Sequence, residues 1–147
     1  MIAEKYHVWT DGACRGNPGP GGWAYIIRAS DGTEEVCYDY ESSTTNNRME
    51  LATALEALRS IPEGSSVQLF SDSQYVVKGM NEWIVAWQRR NWRKADGKPV
   101  LNEDIWKQLV EAAAKREIEW NWVEGHTGQD ENERCDALAN RAIDEAS

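Results

Sequence analysis

The stretch that decides the fold runs from Tyr6 to Glu41 and reads YHVWTDGACRGNPGPGGWAYIIRASDGTEEVCYDYE. It holds three segments rich in aromatic and β-branched residues, which favour strands. A stretch of glycines and prolines separates the first two segments, and an Asp-Gly turn signal separates the second from the third. Strands that follow one another through short turns pair antiparallel. The stretch therefore predicts a three-stranded antiparallel meander.

Beyond the meander, predicted helices alternate with predicted strands. The segment 46–61, NNRMELATALEALRSI, predicts a helix that is capped by Thr45 or an Asn and ends before Pro62. The segment 73–90 predicts helical pieces with a break at Gly79. The other predicted elements are two strands and two helices, at 65–72, 117–125, 101–116 and 130–146.

Alternation of strands and helices is typical of parallel βαβ units. The fold class is therefore predicted to be α/β, a mixed sheet of about five strands with helices on its faces. The length of 147 residues suits a single domain over 1–147.

The composition argues against several classes of protein. The apolar runs are far shorter than the ~20 residues that span a bilayer. The N-terminus lacks the basic and apolar regions of a signal peptide, so we expect a cytoplasmic protein without membrane contact. Three widely spaced cysteines, Cys14, Cys37 and Cys135, argue against a disulfide framework and a zinc cluster and predict buried or half-buried thiols.

The charge distribution gives two opposite indications. The net charge of −9, taken alone, argues against a nucleic-acid partner, because phosphates attract positive charge. However, five of the 16 lysines and arginines fall within Arg89–Lys98, against the single acid Asp96. This stretch carries a charge of +4 and leaves −13 for the remainder.

Four acids occupy places that acids usually avoid. Asp11 and Asp72 close apolar strand segments, and ligand sites of α/β sheets form at strand ends. At ~100° per residue, Glu50 points toward the core side of its helix and Asp136 borders the apolar arc of the last helix. Taken singly, Asp11 and Asp72 are each also explained as a turn or cap residue, and Glu50 as a first-turn acid facing outward.

These four carboxylates could converge on one point, where their mutual repulsion would be strong. Hard divalent cations with oxygen ligands would relieve that repulsion. No Cys or His partners occur at ligand spacing, which favours Mg²⁺ or Mn²⁺ over Zn²⁺. Two such ions ~4 Å apart can activate water and stabilise a leaving oxygen in phosphodiester cleavage.

Four blocks around these acids resemble bacterial type I ribonuclease H in order and spacing, over essentially the whole chain. They are TDGACRGNPGPGGWA, TTNNRMELATALEAL, SDSQYVVKGM and WVEGHTGQDENERCDALA. The resemblance implies a ribonuclease H-like fold with strand order 3-2-1-4-5. It also implies cleavage of the RNA strand of an RNA/DNA hybrid by two Mg²⁺ ions, with Mn²⁺ as a substitute.

By the same resemblance, the metal-binding carboxylates fall on Asp11, Glu50, Asp72 and Asp136. The mobile catalytic histidine of the family falls on His126, between glycines that suit a moving loop. Its expected role is to assist protonation of the leaving 3′-oxygen or the departure of metal and product. Without the motif, His126 would be read as a surface loop residue.

The resemblance also implies a surface for the hybrid. It places four residues on the RNA side of the minor groove, namely Cys14, Asn17, Asn46 and Gln74. It assigns Thr45 and Asn102 to a phosphate of the DNA strand, and Asn47 to a nearby base edge. Asn and Gln suit such tasks because each side-chain amide both donates and accepts hydrogen bonds.

The segment Trp83–Lys98 resembles the basic handle with which some members of the family grip substrate. Its tryptophans are Trp83, Trp87 and Trp92, and its basic residues include Arg89, Arg90 and Arg93. The basic side chains would neutralise phosphates, and the flat tryptophan rings could pack on deoxyriboses. The alternative is that the tryptophans belong to the core and the basic residues form a solvated charged face. Three further tryptophans, Trp106, Trp120 and Trp122, are predicted to belong to the core.

Two other functions stay open at this point: a non-catalytic module that binds hybrids, and another nuclease of the same superfold. All four acids and His126 argue against the first, and the TTNNRMEL block and the basic segment argue against the second. No obligate protein partner is evident in the sequence, and a monomer is the default expectation.

Overall fold

The computed structural model describes residues 4–124 and 130–146. Five strands form one sheet in the order β3-β2-β1-β4-β5. The strands are β1 (Lys5–Cys14), β2 (Gly19–Ala29), β3 (Glu34–Thr44), β4 (Ser66–Ser71) and β5 (Glu117–Trp122). β1–β2 and β2–β3 pair antiparallel, whereas β1–β4 and β4–β5 pair parallel. The predicted meander and the mixed sheet with order 3-2-1-4-5 are confirmed.

The helices lie on both faces of this sheet, as predicted. They are α1 (Asn46–Arg59), α2 (Gln74–Lys78), α3 (Ile84–Arg89), α4 (Glu103–Ala114) and α5 (Asp130–Ala146). Among the described residues, none of the helices combines the length and apolar character that crossing a membrane requires.

The central strand β1 divides the core into two parts. Because side chains alternate along a strand, Val8 packs with α1 and α4, whereas Trp9 packs with α5. Both side chains are buried. Helix α1 begins as predicted, since Thr45 is its N-cap and accepts a hydrogen bond from the Arg48 amide at 3.3 Å.

The predicted helical pieces are confirmed, and α2 ends at Lys78 with Gly79 as its C-cap, but the chain does not leave the helical conformation at Gly79. The chain passes from α2 through a π-helical segment, Gly79–Trp83, directly into α3. A Cβ at Gly79 would lie 2.1 Å from the Trp106 ring. Glycine therefore stands here for close packing against a buried tryptophan rather than for leaving the helical conformation.

The prediction of a core position is confirmed for Trp106, and Trp120 packs against the core from a half-buried position. It is wrong for Trp122, which is 46% exposed. Trp122 is the last residue of the edge strand β5, and its indole N–H donates to the Asp72 carbonyl at 3.1 Å. The three cysteines are free, with Cys135 buried and Cys14 and Cys37 half-buried, as predicted.

Candidate active site

Asp11 and Asp72 lie side by side where two parallel strands diverge. The last pair of the β1–β4 ladder is Thr10 with Ser71, and the two acids are the residues that follow. Asp72 comes directly after β4, as predicted, but β1 continues past Asp11 to Cys14 because β2 still pairs with it. Asp11 is therefore buried inside a strand, with 3% of its surface exposed, rather than placed at a strand end.

Glu50 points inward from the second turn of α1 and is 2% exposed. The Gly12 amide donates to its Oε1 at 2.6 Å, and the Ser71 hydroxyl donates to its Oε2 at 3.5 Å. A Cβ at Gly12 would lie 2.8 Å from the Glu50 backbone nitrogen. Glycine next to Asp11 thus lets α1 approach β1 closely enough for the two carboxylates to meet.

Three of the four predicted carboxylates form one cluster. Asp11, Glu50 and Asp72 each offer an oxygen, and these oxygens all lie within 4.8 Å of one another. Asp136 lines the same cavity, which has a volume of about 500 Å³. Within residues 4–124 and 130–146, the tight cluster consists of the other three acids and does not include Asp136.

The electrostatics of the cluster disfavour full ionisation. Burial raises the pKa of Asp11 well above its ordinary value, and the charges of Glu50, Asp72 and Asp136 raise it further. Burial also raises the pKa of Glu50, with a smaller contribution from the charge of Asp72. Hydrogen bonds from Asp11, Gly12 and Ser71 offset only part of this rise. A divalent cation would remove the cost of placing these charges together.

The donor set fits such a cation. All three clustered ligands are carboxylate oxygens, which hard divalent ions prefer, and neither a thiolate nor an imidazole joins them in the described part of the chain. The buried Glu50 carboxylate is held by two donors and needs a cation to balance its charge when it is ionised. The cavity therefore has the chemistry of a metal site.

The raised pKa values predict how stability depends on pH when no divalent metal is present. Above the ordinary pKa values of 3.8 and 4.5, the folded state holds protons on Asp11 and Glu50 that the unfolded state releases. The free energy of unfolding therefore falls as pH rises from about 5 to about 8. Urea unfolding in EDTA at several pH values measures this slope.

Asp11→Asn should flatten that slope, because the amide does not titrate. Asp39→Asn is the matched control, since it removes an exposed carboxylate on β3 outside the cavity. A slope equal in wild type and Asp11→Asn would contradict a pKa of Asp11 that burial and the neighbouring charges raise.

The predicted RNA-side residues lie around this cavity. Cys14, Asn46 and Gln74 line it, as does Asn47, which was assigned to a base edge. Asn17 is beside them, with its Oδ1 accepting from the Asn46 amide at 3.4 Å.

The two residues predicted to bind a DNA phosphate have different places in the fold. Thr45 caps α1, and Asn102 precedes α4 with a left-handed backbone, φ 61°. Asn102 donates to the Tyr75 hydroxyl at 3.1 Å and accepts from Arg48 at 3.1 Å. Tyr75 and Arg48 received no role from the sequence, although both lie in the quoted blocks.

The basic segment is partly a solvated face and partly an aromatic cluster. Arg89, Arg90 and Arg93 are exposed. Trp87 and Trp92 are half-buried and pack against the core, so they are less available to a ligand than predicted. Trp83 is 36% exposed and contacts Trp87, with ring centroids 5.8 Å apart. His126, the last predicted site residue, lies outside the described residues.

Comparisons with known proteins agree with this architecture. The RNase H family model matches residues 3–144. The "Ribonuclease H" of Alkalilimnicola ehrlichii (strain ATCC BAA-1101 / DSM 17681 / MLHE-1) is 54% identical over 139 residues, which cover 95% of this chain and 94% of that protein.

Solved structures agree as well. The crystal structure of LC9-RNase H1, described as a type 1 RNase H with the type 2 active-site motif, has a TM-score of 0.89 and 31% identity, covering 100% of this chain and 75% of that one. LC11-RNase H1 in complex with RNA/DNA hybrid shares the fold, with a TM-score of 0.73, 24% identity and coverage of 96% and 98%. With a family match over nearly its whole length and a relative more than half identical, this chain belongs to the ribonuclease H family.

Proposed function

We propose that the chain is an endonuclease that hydrolyses the RNA strand of RNA/DNA hybrids and leaves 5′-phosphate and 3′-hydroxyl ends. The observation that carries this proposal is the cluster of buried Asp11, buried Glu50 and half-buried Asp72, which lines the cavity of about 500 Å³. Family membership and the hybrid bound to LC11-RNase H1 support the choice of substrate. We further propose that residues 1–147 act as one domain, as a monomer and in the cytoplasm.

The proposed cofactor is Mg²⁺, for which Mn²⁺ can substitute, held by Asp11, Glu50, Asp72 and Asp136. These carboxylates would hold two ions, whose chemistry would be to activate a water and to stabilise the charge that develops on the leaving oxygen. The protein keeps the ligands in place: the Gly12 amide and the Ser71 hydroxyl fix the carboxylate of Glu50, and α5 carries Asp136 to the cavity. His126 would deliver a proton to the leaving 3′-oxygen.

In the proposed substrate surface, one set of residues contacts the RNA strand and another set contacts the DNA strand. Cys14, Asn17, Asn46 and Gln74 face the RNA strand, whose 2′-hydroxyls both donate and accept hydrogen bonds. Asn47 reaches a base edge, and Thr45 and Asn102 bind a phosphate of the DNA strand. Gly12 allows the backbone of α1 to approach β1 closely, next to the carboxylates. The glycines of the β1–β2 turn would allow the backbone near Asn17 to approach the minor groove of the hybrid.

A substrate panel tests this function. The protein is incubated with labelled RNA/DNA hybrid, single-stranded RNA and double-stranded DNA, each with Mg²⁺ and with EDTA. We expect cleavage of the RNA in the hybrid alone, and only with Mg²⁺. Full activity in EDTA or equal cleavage of plain RNA would overturn the assignment. Binding of the hybrid without cleavage would instead favour a non-catalytic module.

The basic segment gives a second test of the substrate surface. Replacing Arg89, Arg90 and Arg93 with alanine should raise KM and leave kcat nearly unchanged, because these exposed side chains do not line the cavity. Each lost phosphate contact should flatten the dependence of log Kd on log salt by up to ~0.9. Hybrid binding across a salt series measures the slope.

A matched control variant replaces three basic residues at the opposite end of the molecule with alanine. Lys5 begins β1, and Arg59 and Lys115 line a groove formed where α1 and α4 end. Their alanine variant carries the same net charge as the triple mutant, so a shared effect would reflect overall charge alone. An unchanged slope and affinity in the first variant would mean that the substrate is held elsewhere.

A further inference from the structure

We infer that Arg48 is a positioning residue that joins Thr45 and Asn102 into one site for a phosphate of the DNA strand. This inference rests on the proposed function and extends it to a residue that has no role in it so far. Arg48 lies in the first turn of α1, two residues before Glu50, and its side chain is 35% exposed. At about 100° per residue, the side chains of Arg48 and Glu50 leave the helix on different faces, so Arg48 is not a member of the acidic cluster.

One residue contacts both proposed phosphate ligands. The Arg48 amide donates to Thr45 Oγ1 at 3.3 Å, and its Nη1 donates to Asn102 Oδ1 at 3.1 Å. Thr45 caps α1 and Asn102 precedes α4, so these ligands come from different helices. The bond to Thr45 comes from the backbone amide and persists with any side chain at position 48, whereas the bond to Asn102 comes from the guanidinium. The Arg48 side chain thereby holds Asn102 to the first turn of α1, which Thr45 caps.

The direction of these hydrogen bonds matters for an anion. Asn102 Oδ1 is occupied by Arg48, which turns this oxygen away from a phosphate that it would repel. Asn102 Nδ2 donates one hydrogen to Tyr75 at 3.1 Å and keeps a second for a further acceptor. Thr45 Oγ1 accepts from Arg48, which leaves its hydroxyl hydrogen to donate. Both ligands are thus oriented to present donors to one anion.

Asp104 explains why this residue is an arginine. Its two carboxylate oxygens accept from Arg48 Nη1 and Nη2 at 3.1 and 2.9 Å. The planar guanidinium can make this paired contact and still reach Asn102, whereas the single nitrogen of a lysine cannot reproduce the fork. Asp104 also offsets the charge of Arg48. The main contribution of Arg48 is therefore to orient Asn102 rather than to attract the phosphate.

The backbone of Asn102 gives further support. Its left-handed conformation, φ 61°, is uncommon for a residue with a side chain, although Asn adopts it more readily than most. Such a conformation persists where the surroundings hold it in place. Here the contacts to Arg48 and Tyr75 hold the side chain from two directions.

The experiment combines protein variants with a chemically altered substrate. Hybrids are prepared in which one DNA phosphate at a time is replaced by a neutral methylphosphonate. KM and kcat are then measured for wild type, Arg48→Ala and Arg48→Lys. For wild type we expect one position at which the replacement raises KM by about tenfold, as expected for loss of a charged hydrogen bond.

In Arg48→Ala the KM for unmodified hybrid should already be raised about tenfold with kcat little changed, and the methylphosphonate should add less than about twofold. Arg48→Lys should resemble the alanine variant. Arg59→Ala is the matched control, because Arg59 at the other end of α1 also contacts α4, through Gln108 at 2.8 Å. It should keep the wild-type KM and the wild-type sensitivity to methylphosphonate.

The outcomes separate the inference from the function on which it rests. If no position matters in wild type, the proposed phosphate contact is absent and the inference falls with it. If one position matters equally in wild type and in both Arg48 variants, the phosphate site stands and the inference is wrong. Melting temperatures of all variants detect a loss of folding, and a kcat decrease without a change in KM would also overturn the inference.

Discussion

Asp11→Asn should lower kcat for hybrid cleavage by about a thousandfold or more, while the hybrid still binds. The change keeps the shape of the side chain and removes one negative charge from the cluster with Glu50 and Asp72. Without that charge, the site cannot hold divalent ions in the same number or geometry. Single-turnover cleavage and a separate binding measurement with labelled hybrid distinguish the two effects.

The control for this variant is Asp39→Asn, an identical change of side chain at an exposed position of β3. It should retain wild-type kcat and KM. Cleavage by Asp11→Asn within about tenfold of wild type would mean that Asp11 is dispensable, and the cluster would lose its role as the catalytic centre.

Among glycine-to-alanine substitutions in the sheet outside the site, Gly22→Ala should be the most destabilising. A Cβ at Gly22 would lie 2.1 Å from the Ala139 carbonyl oxygen in the backbone of α5. Since a helix backbone cannot rotate away like a side chain, α5 must shift from the sheet. We expect a loss of about 3 kcal/mol, at the upper end for overpacking, and a melting temperature lower by about 10 °C.

The same shift should reach the site, because Asp136 lies on α5 one turn before Ala139. Gly22→Ala protein that remains folded should therefore also cleave more slowly. Gly32→Ala is the control: it adds a methyl in open space, so its cost comes from the positive φ of 91° alone. Equal melting temperatures for Gly22→Ala and wild type would contradict close packing of α5 on β2.

The general course of the fold could be predicted because its signals are local. The Gly-Pro and Asp-Gly turns fixed the meander, and Thr45 before an apolar periodic run gave the start of α1. The inward direction of Glu50 followed from helix geometry and is confirmed, since only 2% of the residue is exposed.

Other features depend on tertiary contacts that no local pattern encodes. Gly79 looked like a helix break, yet its neighbour in space is the Trp106 ring, far along the chain. Trp122 resembled a core residue, but it ends β5, which has a neighbouring strand on one side only within residues 4–124 and 130–146. β1 extends beyond Asp11 because β2 continues to pair with it after β4 has ended.

In the candidate site, too, some features could be predicted from the sequence and others depend on tertiary contacts. The four acids were predicted from position and resemblance, but the closer grouping of Asp11, Glu50 and Asp72 relative to Asp136 required coordinates. Arg48 lies within one of the four blocks, but no role could be predicted for it from the sequence. Its contacts to Asn102 and Asp104 join residues that are more than fifty positions apart. The assignment of His126 stays a prediction.

The chemical identity of the cleaved ends shows directly whether a water at the carboxylate cluster is the nucleophile. Hybrid with RNA labelled at either end is cleaved in Mg²⁺, and the products are treated with phosphatase and compared with marker ladders. Attack by a water activated at the carboxylate cluster predicts 5′-phosphate and 3′-hydroxyl ends, and no products in EDTA. Products with 2′,3′-cyclic phosphate ends would mean that the RNA's own 2′-hydroxyl is the nucleophile, and would contradict the proposed mechanism.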